Sequence, residues 1–155
     1  MEKLYKEFLS IAKELNSIDI IPVLYGSLGL SKLLNIDLKP QDIDILLSQK
    51  FFKTDRDLLK NFIEKFWYKL VDLHEHEFKK DSIKIAFASQ EDLNPFANIN
   101  YDKLEIFESS MGTYKKLSLQ DYLKVYTKSS QDSYRKDKNN NKDKSKIDII
   151  KKYLN

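Results

Sequence analysis

VLYGSLGLSKLLNIDLKPQDIDILLS, residues 23–48, decides how this chain is read. Its first part is a short apolar run that hands over at Gly26-Ser27 to Leu28, Leu30, Leu33 and Leu34, which are spaced for a short helix. A junction of this kind offers unpaired backbone N–H groups and the positive end of a helix to an anion such as phosphate. After a loop containing Pro40, Asp42 and Asp44 alternate with Ile43 and Ile45, and the run then stays apolar up to Ser48. On a strand, both carboxylates project from one face while the isoleucines enter a core. Two adjacent carboxylates repel unless a cation neutralises them. Magnesium or manganese suits oxygen ligands, and a bound nucleoside triphosphate would complete the shell. Alone, Gly-Ser is a common turn and Asp-x-Asp a common solvated strand edge; in this order, with a strand under each, they make a candidate site.

Upstream, Leu4, Phe8, Ile11 and Leu15 predict an amphipathic helix over residues 2–16, and Ile18 to Tyr25 reads as a buried strand despite Pro22. Downstream, Thr54 and Asp57 resemble a capping box. Leu58, Leu59, Phe62, Ile63, Phe66 and Leu70 supply a buried stripe for a helix over 55–69, with Trp67 off the stripe and partly exposed. Val71 to Lys79 and Ser82 to Ser89 read as an antiparallel hairpin turning at Lys80-Asp81. A second hairpin pairs Leu104–Ser109 with Thr113–Leu117, and Ser118 with Asp121 caps a further helix. A Lys/Asn-rich stretch at about 129–145 reads as a mobile loop, and Ile147, Ile150 and Leu154 as a terminal helix. This order describes one α+β domain over 1–155, a mixed sheet with helices packed on one face.

Composition removes several classes of function. At 155 residues the chain is too short for an eight-unit β/α barrel, which needs about 200 residues or more. With 27 Lys and Arg against 24 Asp and Glu, charge does not indicate nucleic acid as a partner. The absence of cysteine excludes disulfides, thiolate metal sites and cysteine nucleophiles. The opening MEKLYKEFLS lacks the apolar core of a signal peptide, and no run approaches the 18 or so apolar residues of a membrane span. A cytoplasmic chain with no membrane partner is expected.

Gly26, Ser27, Asp42 and Asp44, flanked by Leu24, Ile43, Ile45 and Leu46, resemble the nucleotidyltransferase superfamily of the DNA polymerase β type. That pattern has Gly-Ser at the exit of one strand and Asp-hydrophobic-Asp on the next. The order of elements is similar to that of the small bacterial members, the minimal and antibiotic nucleotidyltransferases. Lys142-Asp143 followed by Ile147-Asp148 is similar to a segment those proteins carry before their last helix.

The resemblance implies a nucleotidyltransferase-like sheet and transfer of a nucleoside monophosphate from an NTP to an unknown acceptor. Asp42 and Asp44 would be the catalytic, metal-holding pair, and Gly26 and Ser27 would grip the triphosphate. Active members bring a third carboxylate from a later strand. By local sequence Val71-Asp72-Leu73-His74 fits that segment, whereas by topology Lys84-Ile85-Ala86-Phe87 does, with Ala86 where the acid belongs. A member lacking that acid would be a binding module, a nucleotide sensor or an antitoxin-like partner of another protein.

Other residues are candidates for the same cleft. Strand alternation in DLHEHEF would put Asp72, His74 and His76 on one face, where the histidines would serve as metal ligands or a general base. Glu77 is the fallback third acid if a bulge turns the strand over. A metal-binding protein centred on His74 and His76 is a further alternative. Lys124 and Lys128, one turn apart on the helix from 118, with Arg135 and Lys136 beyond, are candidates for contacting the triphosphate.

Overall fold

Helix α1 (Glu2–Asn16) buries Phe8, Ile11, Ala12 and Leu15, as its spacing requires. The computed structural model describes residues 1–132 and 142–155. Beyond α1 the chain runs through β1 (Val23–Tyr25), α2 (Gly26–Leu34), β2 (Asp42–Leu47), α3 (Lys50–Lys53) and α4 (Arg56–Glu64). It continues through β3 (Lys69–Asp72), β4 (Glu77–Lys80), β5 (Ile83–Ser89) and α5 (Leu93–Ala97). It closes with β6 (Glu105–Phe107), β7 (Tyr114–Lys116), α6 (Leu119–Gln131) and α7 (Lys142–Leu154). This is an α+β fold. Among the described residues no helix is long and apolar enough to cross a membrane.

The strands form one mixed sheet in the order β3-β4-β5-β2-β1-β7-β6. The central strand β2 is antiparallel to β1 and parallel to β5, while β1 is parallel to β7. The outer pairs β3/β4, β4/β5 and β6/β7 are antiparallel.

The two faces of β2 explain the layering. Ile43, Ile45 and Leu47 join Phe8 and Ile11 of α1 and Leu59 and Ile63 of α4 in one core. Leu46, on the opposite face with Asp42 and Asp44, joins Val23, Leu93 of α5, Tyr122 and Val125 of α6 and Ile150 of α7 in a second. Helices therefore cover both faces, not one as expected. The cause is the apolar second half of β2, which needs cover on each side.

Several expected boundaries move. The strand expected over 18–25 is reduced to β1, because Asp19 takes φ +62° in a turn and Ile18 and Ile21 are exposed. The helix expected over 55–69 is α4, which starts at Arg56 and ends early, at Glu64. Thr54 Oγ1 donates back to the Lys50 carbonyl instead of capping α4, which has no side-chain cap. Trp67, at φ +70°, is 82% exposed, in keeping with its place off the stripe.

The run 71–79 is not one strand. It folds back between β3 and β4: Asp72 Oδ1 accepts the Glu75 N–H at 3.1 Å, and His76 takes φ +50°. Val71 and Leu73 are exposed instead of facing a core.

The second hairpin and the Ser118/Asp121 capping box are present as expected, and the turn expected at Lys80-Asp81 falls one residue on, at Asp81-Ser82, because Lys80 pairs with Ile83. The stretch expected as a loop over 129–145 is helical at both ends, since α6 runs to Gln131 and α7 starts at Lys142. Ser129 Oγ donates to Asp143 Oδ2 at 2.8 Å, and this buried bond ties the two helices together. The middle of that stretch, with Arg135 and Lys136, lies outside the described residues.

Candidate functional site

Register across the sheet assembles the site. Tyr25 pairs with Asp44, Asp44 with Ala86, and Ala86 with Glu77, so these four side chains form a row on one face of β1, β2, β5 and β4. The neighbouring row on that face is Asp42, Lys84 and Lys79. Both aspartates point away from the α1/α4 core and into a cleft of about 730 Å³. Its lining also includes Gly26, Ser27, Tyr122, Tyr126 and Lys146.

Gly26 opens α2 at φ +70°, a left-handed conformation that favours glycine. A Cβ at this position would overlap the Asp44 carboxylate, so the turn and the acid are packed backbone against side chain. Gly26 and Ser27 therefore bring the first turn of α2, with its orphan N–H groups, directly beside Asp44. Gly29, one turn on, leaves room for the Tyr122 hydroxyl from α6. That hydroxyl is buried, has no hydrogen-bond partner among the described residues, and is pushed well above the usual tyrosine range, chiefly by burial.

The position beside Asp44 on the parallel partner strand is Ala86. Asp72 sits on β3 at the edge of the sheet, three strands from β2 at about 4.8 Å per strand. Glu77, across Ala86 on β4, is half-buried and lines the cleft. Between the acids stands Lys84, which the sequence reading did not single out as a site residue. Its Nζ is 3.7 Å from Asp42 Oδ2 and 3.7 Å from Glu77 Oε1. Its alternation with Ala86 in IKIAFA puts it on the cleft face, but only the pairing of β5 with β2 shows that this face carries the aspartates.

Asp42 and Asp44 offer the hard oxygen donors that suit a divalent ion, and phosphate oxygens would complete such a shell. Among the described residues no three His, Asp or Glu side chains converge to hold a metal by themselves.

The histidines are not part of this arrangement. The turn between β3 and β4 destroys the alternation that would have aimed both into the cleft, and neither lines it. His74 is exposed. His76 packs against Phe52 with ring centroids 4.7 Å apart and the rings tilted at 46°, and burial pushes its imidazole below the ordinary range.

Lys124 and Lys128 lie on the solvent face of α6 beside a separate hollow formed with α5. The face of α6 that meets the cleft carries Tyr122, Tyr126 and Ser129, and the cations there are Lys142 and Lys146 of α7. The i, i+4 spacing of Tyr122 and Tyr126 was the available sequence signal for that face.

No protein-family model matches the chain. It is 51% identical over 153 residues to the uncharacterized protein YnaI of Bacillus subtilis strain 168, covering 98% of each chain. That identity across nearly the whole of both sequences means that the chain belongs to the same family as YnaI.

Proposed function

We propose that this is a nucleotidyltransferase-like protein whose cleft binds a nucleoside triphosphate together with magnesium or manganese. The observation that carries this reading is the packing of the Gly26-Ser27 turn directly against the Asp44 carboxylate, with Asp42 on the same sheet face. The first-turn amides of α2 receive the phosphate oxygens and orient the triphosphate along the face that bears the acids. Asp42 and Asp44 hold the cation, which when bound neutralises charge on the phosphates. Tyr126 and Tyr25 supply apolar walls, while Lys142 and Lys146 add positive charge at the side of α7.

In this reading the cleft transfers a nucleoside monophosphate to an acceptor hydroxyl, phosphate or protein group. One observation favours a second use of the same cleft. Ala86 stands beside Asp44, and Glu77 is paired to Lys84, so among the described residues neither neighbouring position on the sheet row offers an unpaired carboxylate to take the acceptor's proton. That arrangement suits a nucleotide-binding module, a sensor or a partner of another protein.

Calorimetric titration of ATP, GTP, CTP and UTP with magnesium or manganese tests the binding step, with wild type beside Asp42→Asn/Asp44→Asn. Metal-dependent binding lost in the double variant supports the reading. Absence of binding, or equal binding by the variant, refutes it. A label-transfer screen then separates transferase from module.

A further inference from the structure

We propose that Lys84 is a built-in cation of the cleft, held between Asp42 and Glu77, so that a nucleoside triphosphate is taken with one divalent ion at Asp42 and Asp44 and without a second. This inference rests on the nucleotide-binding reading and adds the metal stoichiometry and the residue that sets it. Three features converge. Ala86 withdraws the side chain that would otherwise fill the row between Asp44 and Glu77. Lys84, one pleat away on the same strand and face, places its Nζ at equal distances from Asp42 Oδ2 and Glu77 Oε1. Glu77 comes from β4, so the ammonium is held from both flanking strands and not by Asp42 alone.

A second divalent ion seated between these carboxylates would have to displace the ammonium or lie against it, and like charges at that range repel. An ammonium on a flexible four-carbon stem is a point charge with three donors, able to keep its hold on Glu77 while a phosphate oxygen replaces Asp42.

The test is titration of the full chain with manganese, followed by the paramagnetic resonance of the free ion. It is run with no nucleotide and with adenosine 5′-(α,β-methylene)triphosphate. The chains compared are wild type, Lys84→Met, Lys84→Arg and Lys84→Met/Glu77→Gln. Wild type and Lys84→Arg are expected to take one manganese ion with the analogue. Lys84→Met is expected to take two, and to bind manganese about tenfold more tightly without the analogue. Glu77→Gln in that background is expected to reverse the gain. Two ions in wild type, or no gain of manganese affinity in Lys84→Met, overturns the proposal. If wild type does not bind the analogue, the nucleotide reading falls, and the arm without nucleotide still decides whether Lys84 competes with metal.

Discussion

Replacing Gly26 with alanine tests whether the turn and the acid form one packed unit. The left-handed φ of +70° costs a non-glycine residue roughly 1–2 kcal/mol. The new Cβ also falls on Asp44, where Cγ would lie at 3.0 Å and Cβ at 3.1 Å with the carboxylate oxygen nearer still. Overpacking of this kind adds about 1–3 kcal/mol. The total of about 2–5 kcal/mol corresponds to a fall in Tm of roughly 5–15 °C for a chain of this size. Asp44→Ala removes two of the three atoms in the way, so the backbone cost remains and most of the steric cost goes. Urea unfolding of Gly26→Ala, Asp44→Ala and the double variant should therefore give a coupling of about 1–3 kcal/mol. Equal costs of Gly26→Ala in the two backgrounds would refute the packed arrangement on which the site rests.

Tyr122→Phe should leave stability unchanged or raise it by up to about 1 kcal/mol, because no bond is lost. Tyr68→Phe, which removes the 2.9 Å bond from the buried phenol to Glu7, should cost about 1–2 kcal/mol in the same denaturation assay, and equal effects would contradict this contrast. His76 is held below its ordinary pKa first by burial, with His74 and Arg56 adding to the effect and Glu75 and Asp72 opposing it. The unfolded chain then takes up the proton more readily, so this stability is whole above the unfolded pKa of about 6.5 and is lost as pH falls through it toward the folded value. His76→Gln should flatten that part of the urea-midpoint profile, and parallel profiles would show that His76 is not its source. Lys124→Ala/Lys128→Ala should bind nucleotide as wild type does, whereas Lys142→Ala/Lys146→Ala should weaken binding about tenfold; the reverse order in calorimetry would move the triphosphate to the other side of α6.

What the sequence disclosed was local. The apolar run into Gly26-Ser27, the two Asp residues two apart, the second hairpin and the Ser118/Asp121 cap each depend on contacts within a few residues. DLHEHEF misled because Val71 and Leu73 look like core residues, yet Asp72 caps a turn and leaves both in solvent. Helix periodicity through 55–69 concealed the end of α4 at Glu64 because the apolar spacing continues through Phe66 and Leu70, which are not helical. Lys84 came into view beside the aspartates only through the pairing of β5 with β2, and Lys124 and Lys128 lie beside a separate hollow, since a helix in isolation does not reveal which face meets the cleft. The ends of the low-complexity stretch are ordered by a bond between Ser129 and Asp143, a pairing that neither residue announces.

The position of β1 has a consequence for how the protein is made. This three-residue strand lies inside the sheet, and its parallel partner is β7, with Val23 opposite Lys115. Pairings between such distant stretches close large loops and form slowly. A nascent chain extended only as far as β5 carries both aspartates and the glycine turn but not the strand that braces β1 from the other side. The cleft is therefore complete only late in synthesis, once β7 has docked and α6 can close over the sheet.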